Sequence, residues 1–195
     1  MKIYFDTEFT GLHKDTTLIS IGLVSECAKT FYGECYDYDE NQIDTWIQEN
    51  VINQTTYLGE ISKTECMSIS KTECMSISKE NMYLVASKEN LGNYLREWFS
   101  QFDKVELVSD VCHYDMVLLI DLFGTAFDLP PQVSASCHDI NQDIARYYGI
   151  DLIQAFDVSR EDLLLNDFSV RIAGNKHNAL YDAHVIKAIY KYINK

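Results

Sequence analysis

Six residues into the chain, the run Lys2-Ile3-Tyr4-Phe5 leads straight into Asp6-Thr7-Glu8-Phe9-Thr10-Gly11-Leu12. The run reads as a strand, so the carboxylates at i and i+2 point to the same face. At the end of a buried strand, two like charges on one face are costly unless a cation lies between them. The plainer alternative is a pair of solvated acids at a strand-to-turn junction. Asp6 and Glu8 alone leave both readings open, and the rest of the chain has to decide.

A chain of 195 residues suits a single domain, 1–195, with a full core. No apolar run approaches the roughly 20 residues of a membrane span, and a first strand that already carries two acids is no signal peptide. No membrane association is expected, and the expected location is cytoplasmic. The six cysteines, Cys27, Cys35, Cys66, Cys74, Cys112 and Cys137, include no C-x-x-C pair. They read as reduced thiols and not as a disulfide framework. Cys112-His113 and Cys137-His138 lack a zinc-ligand spacing. The net charge of −14 opposes tight sequence-independent binding of long duplex DNA through a basic face. It leaves room for a nucleic-acid enzyme, because bound divalent cations invert the local sign at an acidic site. It favours short or single-stranded substrates held at one end.

Strands are expected over 2–6, 18–24 and 29–36, close enough together to form an antiparallel meander. Residues 42–51 read as a helix with Ile43, Trp46, Ile47 and Val51 on one face. Residues 61–68 are then repeated as 69–76, and 77–79 begin a third copy. Two and a half copies are too few for a solenoid. The region, about 53–86, reads as a tandem expansion in a surface insertion. Ser87 caps a helix carrying Leu91, Tyr94, Leu95, Trp98 and Phe99. A strand over 105–108, a helix over 113–123, a break at Pro130-Pro131, a helix over 139–148 ended near Gly149 and a helix over 177–193 follow. The class is α/β, a mixed sheet flanked by α-helices.

Asp115 lies at the start of the helix after the fourth strand, and Asp182 lies on the last helix five residues after His177. With Asp6 and Glu8 they make four carboxylates and one imidazole. Such a set suits two hard Mg²⁺ or Mn²⁺ ions that clamp the oxygens of a phosphoryl transfer, with a histidine to accept a proton. Asp110, at the strand end, competes with Asp115 as the second carboxylate source.

Asp6-Thr7-Glu8, Tyr114-Asp115 and His177-Asn178-Ala179-Leu180-Tyr181-Asp182-Ala183 resemble, in order and spacing, the three motifs of the DEDDh 3′→5′ exonucleases. The opening Tyr4 to Phe9, with Leu18-Ile19-Ser20-Ile21-Gly22, is most similar to a small bacterial and phage exoribonuclease group of mycobacterial type. The resemblance implies a ribonuclease-H-like fold, with a mixed sheet whose first three strands are antiparallel and the later ones parallel. It implies that Asp6, Glu8 and Asp182 hold one metal, that Asp6 bridges to a second, and that Asp115 completes the site partly through water. His177 becomes the general base. A sister class places a tyrosine four residues before the last aspartate, where this chain has Asn178. Thr7, Phe9 and Leu12 are the implied contacts to the terminal nucleotide. Arg171 and Lys176 flank the last motif and read either as substrate-phosphate contacts or as solvated loop charges. The expected activity is hydrolysis of single-stranded RNA 3′ ends to nucleoside 5′-monophosphates. A proofreading-type DNA exonuclease and a non-catalytic nucleic-acid-binding module are the alternatives, and a homodimer is expected by analogy.

Overall fold

A computed structural model describes residues 1–58, 74–78 and 80–195. A seven-stranded sheet runs through it: β1 (Lys2–Phe9), β2 (Leu18–Ser25), β3 (Thr30–Cys35), β4 (Cys74–Ile77), β5 (Asn81–Ala86), β6 (Val105–Ser109) and β7 (Val133–Asp139). The spatial order is β4-β5-β3-β2-β1-β6-β7. β1, β2 and β3 form the expected antiparallel meander. β5 then pairs parallel to β3, and β6 and β7 run parallel beside β1. β4 departs from the expected order by pairing antiparallel to β5.

Three strands differ from the sequence expectation: β4 and β5, which fall within the stretch read as a surface insertion, and β7. β5 occupies the end of the stretch read as a surface insertion, with Met82, Leu84, Val85 and Ala86 buried. The repeat beside it masked an apolar run that belongs to the sheet, and residues 59–73 and 79 lie outside the described residues. β7 was not expected at all. Its Ser134, Ala135 and Ser136 are exposed on the sheet's edge and have weak strand preference, so no alternation marks them.

The helices are α1 (Thr45–Asn50), α2 (Lys88–Phe99), α3 (Cys112–Asp121), α4 (Ile140–Tyr148), α5 (Leu152–Asp157) and α6 (Ala179–Ile193), with short helical turns at Arg160–Asp162 and Leu163–Asp167. α1 starts later than expected because the Asp44 carboxylate accepts from the Ile47 N–H at 2.8 Å and caps it there. The shorter helix turns Ile47 inward and leaves Trp46, expected on the buried face, 54% exposed. α6 likewise begins at Ala179, capped by Asn178, so His177 stands outside it in a left-handed conformation with φ 63°.

Alternation along β1 divides the core. Ile3 and Phe5 join the cluster of Leu91, Leu95, Trp98 and Phe99 from α2, while Tyr4 joins Ile144, Val185, Ile186 and Ile189 on the other face. α6 lies across β1 and β2, and its first turn crosses β2 at Gly22. A Cβ there would come within 2.3 Å of the Leu180 nitrogen and 2.4 Å of the Ala179 carbonyl. Both are backbone atoms, so neither can rotate away. No helix among the described residues is long and apolar enough to cross a membrane.

Gly22→Ala therefore forces α6 off the sheet, with an expected cost of about 1–3 kcal/mol typical of overpacking. Chemical denaturation of the variant checks it, and an unchanged midpoint would contradict the close approach.

Candidate active site

The paired register of β1 with β6 ends where Tyr4 faces Val108. Past that point the first turn of α3 supplies the next partner for β1. Asp115 is 1% exposed and its Oδ1 accepts from the Thr7 N–H at 3.1 Å and from the Thr7 hydroxyl at 2.5 Å. Its Oδ2 accepts from the Ser109 hydroxyl at the end of β6. Thr7, expected to contact substrate, thus has its hydroxyl engaged with Asp115, although the residue also lines the cavity.

On the opposite face, Asp6 and Glu8 point toward α6. Asn178 caps that helix by accepting from the Tyr181 N–H at 3.2 Å, which sets Asp182 in the first turn. The Asp182 Oδ2 accepts from the His177 N–H at 2.8 Å. Asp6, Glu8 and Asp182 each offer an oxygen, and these atoms lie within 4.8 Å of one another. Among the described residues no lysine or arginine forms an ion pair with any of the three; the nearest basic side chain is His177, whose Nδ1 is 3.9 Å from Glu8 Oε1.

Electrostatics follow from that crowding. Burial, then repulsion from Asp115 and Asp182, holds the Asp6 carboxyl well above the usual carboxylate range. Glu8 is raised by burial and by Asp182 and Asp115. Burial lifts Asp115 to about 7 against the opposing hydrogen bonds from Ser109 and Thr7. Asp182 is lifted to about 7 by burial, against the His177 N–H. His177 moves the other way, lowered by burial and by the neighbouring Lys176 charge. Three clustered carboxylates with no cationic side chain between them suit a hard divalent ion such as Mg²⁺ or Mn²⁺.

Asp110 is occupied elsewhere. Its oxygens take a bidentate pair from Arg160, at 2.8 Å from Nε and 2.8 Å from Nη2, and a further bond from Asn141. That neutralises it and leaves Asp115 as the acid without an ion pair.

These groups open into a cavity of about 690 Å³. Of the residues expected to contact substrate, Phe9, Leu12 and Lys176 line it, whereas Arg171 does not. Arg171 lies on an exposed irregular stretch ahead of the loop that brings Lys176 and His177 to the site. Phe9 is also stacked on Tyr114 at 5.2 Å, and Leu12 is 75% exposed. Two further aromatic wall residues were missed from sequence. Trp46 meets the His177 ring edge-on at 5.3 Å, and Phe156 on α5 is 58% exposed. The aromatic Trp46 was visible but was read as core; Phe156 sits in a six-residue helix too short to show a period.

The sign of the pH dependence follows. Asp115 and Asp182 bind protons more tightly folded than unfolded, so their contribution to stability is complete at low pH and is lost as pH rises from about 4 through about 7. Asp182→Asn is therefore expected to raise the Tm of the cation-free protein at pH 8 and to change it little at pH 4. Mn²⁺ is expected to raise the Tm of the wild type at pH 8 far more than that of the variant. Equal Tm differences at both pH values would contradict the crowding.

The family model for the 3′-5′ exoribonuclease Rv2179c-like domain matches residues 1–194. The 3′-5′ exoribonuclease Rv2179c of Mycobacterium tuberculosis strain H37Rv is 25% identical over 144 residues, which cover 73% of each chain. Among solved structures, the nuclease domain of 3′hExo, a DEDDh family member bound to rAMP, superposes with a TM-score of 0.62 at 13% identity, covering 99% of this chain and 90% of that one. The Mg²⁺- and Mn²⁺-bound form of S. pombe Pop2p superposes at 0.56 with 15% identity, covering 99% and 82%. The chain belongs to the Rv2179c-like 3′-5′ exoribonuclease family and has the ribonuclease-H-like fold of the DEDDh nucleases.

Proposed function

We propose that this protein removes nucleoside 5′-monophosphates from the 3′ end of single-stranded RNA, using two divalent cations and His177 as general base. The observation that carries the reading is the convergence of Asp6, Glu8 and Asp182 within 4.8 Å beside the half-buried His177 ring. Asp6, Glu8 and Asp182 would hold the first ion, with Asp6 shared with the second and Asp115 contributing from its buried position. Asp115 has both oxygens engaged by Thr7 and Ser109, which suits a contribution relayed through water. Such ions supply charge neutralisation at the scissile phosphate.

The chain's own groups do the rest. Burial and the Lys176 charge disfavour the protonated form of the His177 imidazole, which suits a ring nitrogen that takes the proton from the attacking water, an effect worth typically ~10²–10⁴-fold. Lys176, on the cavity wall, offers its ammonium to a phosphate oxygen. Leu12, Trp46 and Phe156 present exposed apolar surface to the bases, and base–aromatic stacking contributes about 1–3 kcal/mol per base. With a net charge of −14 the surface repels the remainder of a long polyanion, which favours a substrate gripped by its end. RNA is preferred over DNA on the strength of the family, and recognition of a 2′-OH is the feature that would enforce it.

Purified protein incubated with 5′-labelled single-stranded RNA and DNA should shorten the RNA stepwise when Mg²⁺ or Mn²⁺ is present and stop when it is chelated. Asp6→Ala should abolish the reaction. His177→Ala should lower kcat by about 10²–10⁴-fold. Cleavage of neither substrate by the wild type overturns the enzyme reading, and undiminished cleavage by Asp6→Ala overturns the site.

A further inference from the structure

Glu34, in β3, is completely buried, lines no part of the cavity and has no ion pair among the described residues. Its carboxylate instead gathers three consecutive backbone N–H groups. Oε1 accepts from Thr56 at 2.6 Å and Tyr57 at 3.1 Å, and Oε2 accepts from Leu58 at 2.7 Å and Tyr57 at 3.2 Å. A run of N–H groups closed on one anion is a strong local clamp. A buried acid is costly, so the turn at 54–58 is fastened far more firmly than a surface connection requires.

That turn is what Asn178 is tied to. The Asn178 Nδ2 donates to the Gln54 carbonyl at 2.9 Å and to the Tyr32 hydroxyl at 3.2 Å, while its Oδ1 caps α6. Tyr32 stands two residues before Glu34 on β3, hence on the same face. His177 immediately precedes Asn178, in a left-handed backbone conformation that an ordinary side chain adopts only when its surroundings impose it. Its other backbone restraint is the N–H bond to Asp182.

We propose that Glu34 is a positioning residue for the exonuclease reaction. It fixes the turn at 54–58, and the turn, through Asn178, fixes the backbone that presents the His177 ring to the cavity. The proposal rests on His177 serving as the base. It explains why β3, two strands away from the cavity-lining β1, carries an acid where an apolar residue would bury at no electrostatic cost. Glutamine cannot replace it, because one oxygen becomes an NH₂ group that faces an N–H donor.

Two variants of the full chain test this. Glu34→Gln loosens the turn, and Asn178→Ser keeps a capping hydroxyl but deletes the Nδ2 tether. With Mn²⁺ and single-stranded RNA, both should lower kcat by about 10–100-fold, as expected for a displaced reacting group. KM and the Mn²⁺ affinity should be nearly unchanged, because Asp6, Glu8 and Asp182 are untouched. The double variant should be no worse than the poorer single one, since both cut the same link. The NMR signal of the His177 ring, identified by its loss in His177→Ala, should move or broaden in both variants without substrate. An undisturbed ring signal and kcat in Asn178→Ser overturns the proposal even if Glu34→Gln fails to fold. A lower Tm with unchanged kcat in Glu34→Gln overturns it as well, and so does a loss of Mn²⁺ affinity that matches the loss of kcat. A fully active His177→Ala would fault the base assignment and take the proposal with it, whereas an unshifted ring signal in both variants faults the positioning role alone.

Discussion

Much of this molecule depends on how closely α6 approaches β2. A helix packed on a sheet normally stands off by the depth of a side chain, but at Gly22 there is none, and the backbone of Ala179 and Leu180 comes down onto the strand. Gly22 is the register partner of Asp6, and Tyr32 is the next partner across the sheet. One row of the sheet therefore carries an acid, a gap and a phenol. α6 enters over the gap, with Asp182 turned toward the acid and Asn178 toward the phenol. The geometry of the site is a consequence of where one side chain is missing.

The same closeness has an electrostatic cost. Asp6, Glu8 and Asp182 are held together by packing that does not itself neutralise them, and burial raises all three. Asp110 shows the alternative treatment of a partly buried acid in the same cavity wall, with Arg160 wrapped around it. The contrast separates two kinds of carboxylate that look alike in sequence. One is paired and structural. The others form no ion pair with a lysine or arginine among the described residues, and a divalent cation is the partner that their donor chemistry fits.

Sequence made legible what depends on residue type and local period. The acids of β1, the Ser87 cap, the meander and the order of the three acidic motifs follow from side-chain chemistry and spacing, and the fold class follows from them. What it hid was set by long-range contact. β7 is weakly strand-forming and exists because β6 offers it an edge. Trp46 has the spacing of a core residue, and only the Asp44 cap shows that the helix starts late and turns it outward. Asp115 could be separated from Asp110 by residue type only through resemblance. Arg160, 50 residues away from Asp110 along the chain, supplies the physical reason. Glu34 gave no signal in the sequence because most of its partners are backbone N–H groups more than 20 residues away, which leave no trace in residue type.

The central claim is that the clustered carboxylates form a cation site whose charges are suppressed until an ion arrives. Calorimetric titration of Mn²⁺ into the cation-free protein at pH 7, in two buffers of different ionisation enthalpy, measures the protons exchanged on binding. With Asp115 and Asp182 each raised to about 7, and Asp6 and Glu8 raised as well, binding should release about one proton or more at pH 7 and fewer at pH 9. Absence of Mn²⁺ binding, or binding with the same negligible proton release at both pH values, would contradict the account.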